Sequence, residues 1–291
     1  MYKTKSYRGG VLAAAVAAVT LVSAAQAASV SNAYADYGHA TNNTGGFCAA
    51  TSIANSLQFL ANENPGVYGS TGLIDGNAST TRDDIVAIES QETITPSTGP
   101  AYQAPTDNET IWNSMVDYIG AKAPDTTSFA AQFDPGSFSA TGGYAYATDI
   151  QNTIPTLTFL YDQLAAGAGV EIGFIGQAPL NVDGSLDYNN QTAHMVTLTG
   201  VNSTTGAMTY LDPNAPSSLI DTLLTVDGNG YLSFYWNNGG NPGEQVAINE
   251  VWAESAITPI PSALSLSALG ILGLGGLALA RRKYLRPSQL F

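Results

Sequence analysis

Residues 41–57 read TNNTGGFCAATSIANSL, and this stretch contains Cys48, the single cysteine of the 291-residue chain. A polar, glycine-bearing loop leads directly into a segment whose apolar residues recur at helical spacing, which predicts a helix from Cys48 to about Asn62. A helix N-terminus offers unpaired N–H groups and the positive end of the helix dipole, and both favour a thiolate over a thiol. Cys48 is therefore a candidate activated nucleophile, which needs a nearby base.

The N-terminal residues 1–27 have the features of a secretory signal peptide. Three basic residues precede an apolar run over residues 9–22, and Ala25-Gln26-Ala27 forms a small-x-small cleavage sequence. Residues 28–258 are enough for one domain with its own hydrophobic core. A lone cysteine in an exported protein is a buried small residue, an intermolecular link or a working thiol, because it has no internal disulfide partner.

The domain is strongly acidic. Residues 28–258 hold all 23 Asp and Glu residues but only Arg82 and Lys122 as cations, which gives a net charge of −21. This charge repels phosphate backbones, so no nucleic acid is expected as a partner. It fits a solvated extracellular surface, and it is also compatible with cationic substrates or divalent cations. One Cys and two His residues cannot form a zinc site without carboxylates, and no cofactor is expected.

Helical patterns precede strand patterns along the chain, which favours an α+β fold. After the Cys48 helix, helices are predicted over residues 80–91, 108–120 and 155–166. Strands are predicted over residues 170–175, 193–200, 207–211, 223–226 and 231–236. Residues 124–148 give no clear pattern.

The base for Cys48 must come from one of two histidines. His39 lies in an irregular segment that no predicted element holds, whereas His194 opens a predicted strand. Folding of the next hairpin about Thr204 brings Asp212 or Asn214 close to the His194 ring. A group that orients the imidazole is what a Cys–His pair needs. The alternative is a strand-end histidine beside an Asp-Pro-Asn turn that serves turn geometry alone.

Three motifs occur in one order: Cys48 at a helix start, AHMVTLTGVN at 193–202, and YLDPN at 210–214. Together they resemble a papain-like cysteine peptidase of the bacterial double-glycine leader peptidase-like group, over about residues 42–214. The resemblance implies a papain-like α+β fold in which an N-terminal nucleophile helix packs on an antiparallel β-sheet. It also implies a thiol peptidase, a hydrolase acting on a peptide or protein substrate.

In this resemblance the catalytic residues are Cys48 as nucleophile, His194 as base and Asp212 as orienter, with Asn214 as the alternative orienter. Asn42 stands where the family carries its oxyanion-hole glutamine, six residues before the nucleophile. An asparagine side chain can donate to an oxyanion together with the Cys48 backbone N–H. The alternative function is a catalytically inactive, acidic surface or biofilm-matrix binding protein of the same fold.

The C-terminal residues 259–291 resemble a PEP-CTERM sorting signal, which an exosortase processes. The sequence TPIP at 258–261 precedes an apolar run over residues 262–280 and then Arg281-Arg282-Lys283. About 19 apolar residues suffice to cross a membrane as a helix. A plain C-terminal membrane anchor is the alternative. The resemblance implies export to the cell envelope, outer surface or extracellular matrix of a Gram-negative bacterium, with exopolysaccharide as a further candidate partner.

Overall fold

A computed structural model of the chain describes residues 29–41, 47–89, 108–135, 149–176, 193–236 and 244–257. The predicted signal peptide, Asn42 and the predicted membrane helix 262–280 lie outside these residues. Among the helices that the structure describes, none is both long enough and apolar enough to cross a membrane.

The helices of the described chain fall close to their predicted positions, except a short helix that begins at Pro65 and was not predicted. They are α1 (Cys48–Glu63), α2 (Pro65–Tyr68), α3 (Ala78–Glu89), α4 (Asn108–Lys122) and α5 (Leu157–Ala165). The strands are β1 (Ser29–Ser31), β2 (Thr127–Phe133), β3 (Asp149–Asn152), β4 (Gly169–Gly176), β5 (Ala193–Asn202), β6 (Ala207–Leu211), β7 (Leu219–Leu223), β8 (Thr225–Val226), β9 (Leu232–Trp236) and β10 (Glu244–Ala256).

One large sheet joins the strands in the order β3-β2-β10-β4-β5-β6-β7. Neighbours along this order are antiparallel except β2 and β3, which are parallel. Strand β9 pairs with the first residues of β10, and β1 pairs with the end of β5. The predicted combination of helices with an antiparallel sheet is confirmed. The helices do not all precede the strands, however, because β2 and β3 lie between α4 and α5.

Helices cover both faces of the sheet. On one face, α1 packs with α3 and α4 over a core in which the Trp112 ring meets Phe129, Phe133 and Trp252 edge to face. On the other face, α5 covers a second apolar core that includes Phe174. Burial of these large side chains is the main favourable contribution to the fold.

The sheet-facing side of α1 is polar, and it fixes the helix against β5. Cys48, Ser52 and Ser56 follow one another at intervals of four residues, so they share one helix face. The Ser52 hydroxyl donates to the Met195 carbonyl at 2.9 Å, and the Thr197 hydroxyl donates to the Ser52 carbonyl at 2.9 Å. These two hydrogen bonds fix the position of Cys48 relative to the start of β5.

Candidate active site

The pairing of β5 with β6 brings His194 to Asp212. Thr197 lies opposite Leu211, so the same register leads from His194 to the residues just after β6. The His194 Nε2 and Asp212 Oδ1 atoms are 2.9 Å apart, and both side chains are buried. The predicted proximity of these two residues is confirmed.

The Asp212 carboxylate has a hydrogen-bond partner on each oxygen. The Trp236 indole N–H donates to Oδ2 at 2.9 Å, and the Asn214 backbone N–H donates to Oδ1 at 2.8 Å. Burial acts to raise the pKa of Asp212, but the hydrogen bonds from His194, Trp236 and Asn214 outweigh it and hold the pKa below its ordinary value. Asp212 therefore stays ionised beside the imidazole.

The Cys48 side chain lies at the first residue of α1, half-buried, and hydrogen-bonds to His194. Because Nε2 of His194 faces Asp212, Nδ1 is the ring nitrogen left for the sulfur. The backbone N–H groups of Met195 and Ala49 also donate to the sulfur. Burial acts to raise the pKa of Cys48, but these donors and the charge on His194 lower it below the ordinary value.

The His194 ring is positioned to carry a positive charge. Burial acts to lower its pKa, but the hydrogen bonds to Asp212 and Cys48 outweigh burial and raise the pKa to about 9. The ring packs against Phe174 and Trp236 at centroid distances of 5.5 and 4.8 Å. The two pKa shifts at the pair favour a thiolate on Cys48 and an imidazolium on His194.

The structure thus brings together three of the predicted site residues, Cys48, His194 and Asp212. The alternative orienter, Asn214, has its amide nitrogen 3.5 Å from His194 Nε2, so the Asp212 carboxylate is the nearer partner. Asn42 is outside the described residues, and its oxyanion contact stays a prediction. His39 contacts the loop that follows Asp212: its Nδ1 atom is 3.3 Å from the Pro216 carbonyl oxygen.

Sequence reasoning missed the role of Trp236, because nothing in the sequence distinguishes it from an aromatic residue of the core. It also gave no assignment to β2 and β10, although β10 forms the middle of the sheet. A signal for β10 existed in the run QVAINEVWAES at 245–255, because acidic residues inside an otherwise apolar strand pattern need a structural reason. Glu250 and Glu254 of that run are buried in the structure.

A second buried acidic group lies below the third turn of α1. The Glu171 side chain on β4 accepts a hydrogen bond from the Ser56 hydroxyl and is hydrogen-bonded to Glu254 on β10. Burial raises the pKa of Glu171 to about 7. Burial and the neighbouring Glu171 charge raise the pKa of Glu254 well above its ordinary value. At neutral pH Glu254 of these two carboxyl groups, the carboxyl pair, therefore keeps a bound proton, whereas Glu171 loses its proton as the pH rises through about 7.

Within the described residues, no group of three or more His, Cys, Asp or Glu side chains is arranged to hold a metal ion. The chain was also compared with protein-family models and with curated protein sequences, and it matches none of them.

Proposed function

We propose that the protein is a thiol peptidase in which Cys48 is the nucleophile, His194 the general base and acid, and Asp212 the orienter. The observation that carries the proposal is the chain of contacts from the Cys48 sulfur through His194 to Asp212 and Trp236. A nucleophile, a base and a group that orients the base are the three parts that covalent acyl transfer requires.

In the proposed reaction, the Cys48 thiolate attacks the carbonyl carbon of a peptide bond and forms a tetrahedral oxyanion. His194 then gives its proton to the leaving amine, and the carbon–nitrogen bond breaks to leave a thioester. Water, deprotonated by His194, attacks the thioester and releases the carboxylic acid and the thiolate. Asp212 keeps the imidazole in one orientation and stabilises the imidazolium. Asn42 and the Cys48 backbone N–H are the proposed oxyanion donors.

Covalent labelling tests this proposal directly. The folded protein is treated at pH 6.5 with a peptidyl epoxysuccinate, which reacts with activated thiols of peptidases, and the labelled residue is located by mass spectrometry. We expect rapid labelling of Cys48 and a rate lowered about 10²- to 10⁴-fold in His194→Ala, since general acid–base assistance is lost. His39→Ala is the matched control, because it removes the other histidine, and its rate should equal that of the wild type.

Hydrolysis of a reporter peptide library completes the test, with Cys48→Ala as the blank. Equal labelling of wild type and His194→Ala would contradict the proposal. So would cleavage of the library that persists in Cys48→Ala.

The second candidate function is a non-enzymatic, acidic surface or biofilm-matrix protein of the same fold. The net charge of −21 over residues 28–258 favours it, because such a surface repels other polyanions and attracts cations and cationic chains. Unchanged association with exopolysaccharide in Cys48→Ser, together with no peptide cleavage in the wild type, would favour this candidate over the peptidase.

We also propose the location that the two ends of the chain imply. Residues 1–27 direct export, and residues 259–291 are a PEP-CTERM signal that an exosortase cleaves after the segment 262–280 has held the protein at the membrane. Cell fractionation of the full chain and of a chain truncated after residue 258 tests this. We expect the full chain in the envelope or on the outer surface, and the truncated chain in the medium.

A further inference from the structure

A third carboxyl group, Glu250, lies close to the Cys48 site, and two features of the sheet place it there. The first is a β-bulge in β10. Ile248 pairs with Phe174, but Glu250 pairs with Gly173, so Asn249 is an extra residue in the strand. The bulge reverses the alternation of side chains: Ile248 faces the α5 core, whereas Glu250 faces α1.

The second feature is the absence of a side chain at Gly173. The Glu250 carboxyl group lies over this glycine, and a β-carbon at Gly173 would be only 2.6 Å from Glu250 Cδ. On its other side, Gly173 pairs with Met195, whose backbone N–H donates to the Cys48 sulfur. The Glu250 carboxyl therefore reaches across β4 towards the thiolate.

Glu250 is buried, and its Oε2 atom has no hydrogen-bond partner among the described residues. A buried carboxylate oxygen without a partner is costly, so the group is kept protonated at neutral pH. Burial raises the pKa of Glu250 to about 8; the nearby Trp252 side chain opposes this rise, and the negative charge on Cys48 adds to it.

Strand β10 and the elements around it carry other titratable groups, which are Cys48 of α1, His194 of β5, Glu171 of β4, Asp134 at the end of β2, and Glu254 on the same strand. The charge on Cys48 is the one that acts on Glu250. Asp134 accepts a hydrogen bond from the Tyr231 hydroxyl at 3.0 Å, and Glu171 accepts one from Ser56. Glu250 is the acid of this set that adjoins the pair Gly173 and Met195.

We propose that Glu250 is a positioning residue of the Cys48 site. Its ionisation places a negative charge beside the thiolate, and this charge sets an upper pH limit for the reaction of Cys48 with anionic or oxyanion-forming groups. Below that limit the carboxyl group is protonated and uncharged, so the thiolate and the imidazolium set the electrostatic field at the site. Above it, the new charge repels an approaching anion and opposes the growth of charge on a tetrahedral oxyanion. The inference rests on the proposed function only in that Cys48 is the reactive thiol.

The test compares two alkylating reagents of nearly the same size on the single cysteine. Iodoacetate is an anion and iodoacetamide is neutral, so the ratio of their rates cancels the fraction of thiolate and reports the local charge. In the wild type we expect the ratio of iodoacetate to iodoacetamide rates to fall between about pH 7 and pH 10. The ionisation of Glu250 accounts for about three- to tenfold of this fall, and the loss of the positive charge on His194 accounts for the rest.

The deciding variant is Glu250→Gln, which keeps the size of the side chain and removes the charge. The fall between pH 7 and pH 10 should be about three- to tenfold smaller in this variant, and the remaining part, which belongs to His194, should persist. Glu254→Gln is the matched control: it makes the same change on the same strand, four residues further along, and its fall should equal that of the wild type. Glu250→Met serves as a second neutral variant if Glu250→Gln does not fold.

Two results would overturn the inference: a fall of wild-type size in a folded neutral variant of Glu250, or a fall in Glu254→Gln that is reduced as much as in Glu250→Gln. The failure of the proposed function looks different, because Cys48 would then react with both reagents like an ordinary thiol, with no dependence on His194.

Discussion

Helix α1 lies over two pairs of buried titratable groups, and the protein neutralises them in opposite ways. At its first turn, His194 and Asp212 carry opposite charges and share a hydrogen bond of 2.9 Å. Below its third turn, Glu171 and Glu254 are like groups with no cation beside them in the described residues, so a bound proton replaces the missing counter-charge. The first pair stays charged at neutral pH, whereas a proton on Glu254 keeps the second pair from carrying two negative charges.

The two pairs therefore respond differently to pH. Asp212 has a lowered pKa, so its contribution to stability is present above its unfolded pKa and is lost as the pH falls through the folded value. Glu171 has a raised pKa, so its contribution is complete below the unfolded value and is lost as the pH rises through about 7. His194 also loses its contribution on the alkaline side, as the pH rises through about 9.

The largest effect is expected at the ionised pair. Asp212→Ala removes the counter-charge of a buried imidazolium, so the pKa of His194 should fall and the labelling of Cys48 at pH 6.5 should slow by about 10²-fold. Asp212→Asn keeps a polar partner for Nε2 and should slow labelling by less. The measurement is the second-order rate of epoxysuccinate labelling. Equal rates in wild type and Asp212→Ala would show that the pair does not activate the thiol.

The next effect concerns the carboxyl pair and the free energy of unfolding. A rise in the pKa of Glu171 from 4.5 to about 7 corresponds to about 3 kcal/mol of stability, which is lost between pH 4 and pH 8. Glu171→Gln should flatten this decline by about that amount, because the amide cannot ionise.

Urea unfolding of wild type and Glu171→Gln at both pH values measures the difference. Glu63→Gln, the same change at an exposed position of α1, should leave the decline unchanged. An equally steep decline between pH 4 and pH 8 in wild type and Glu171→Gln would rule out the raised pKa of Glu171.

A smaller effect is expected from the indole that holds Asp212. Trp236→Phe leaves Oδ2 of the carboxylate without its donor, which costs about 1–3 kcal/mol and raises the pKa of Asp212. Stability should therefore be lower at neutral pH and should fall less steeply on acidification than in the wild type, because less of the Asp212 contribution remains to be lost. Tyr235→Phe is the control, since this neighbouring side chain is exposed. Urea unfolding at pH 7 and at pH 3, followed by circular dichroism, compares the three proteins, and an equal loss of stability between the two pH values in Trp236→Phe and wild type would show that Trp236 does not tune Asp212.

The smallest effect concerns the reciprocal hydrogen bonds between α1 and β5. Ser52→Ala and Thr197→Val should each cost about 1 kcal/mol, and the double variant should cost less than the sum, because the two bonds hold the same contact. The readouts are the free energy of unfolding and the labelling rate of Cys48. Strict additivity in both would mean that the two bonds act independently.

The sequence predicted the residues around the N-terminal end of α1 better than the interior of the sheet. Cys48, His194 and Asp212 could be found because local signals announce them: a helix start, a strand start and a turn after a hairpin of known register. The position of β10 could not be found in this way, because its neighbours β2 and β4 are distant in the chain and its pairing is set by tertiary contacts. The bulge at Asn249 and the space that Gly173 leaves for the Glu250 carboxyl group also depend on how the strands pair, so the sequence alone does not predict them.

The role of Trp236 could not be predicted from the sequence either. Its indole N–H completes the hydrogen bonding of Asp212, yet nothing in the run LSFYW distinguishes it from a core aromatic. The buried acidic residues give a clearer signal in the sequence. A glutamate within VEIGFIG and another within AINEVWAES interrupt apolar strands, and such interruptions indicate either a partner or a bound proton. For the carboxyl pair of Glu171 and Glu254, a bound proton explains the interruption.

The proposed function depends most directly on whether the Cys48 sulfur ionises at a lower pH than an ordinary thiol. The decisive measurement is the rate of iodoacetamide alkylation of Cys48 between pH 4 and pH 10, in the wild type and in His194→Ala. We predict that the wild-type rate rises at a lower pH than that of an ordinary thiol, because the thiolate forms with the imidazolium, and that His194→Ala reacts only as the pH approaches that of an ordinary thiol. Two superimposable profiles with the midpoint of an ordinary thiol would contradict the central claim.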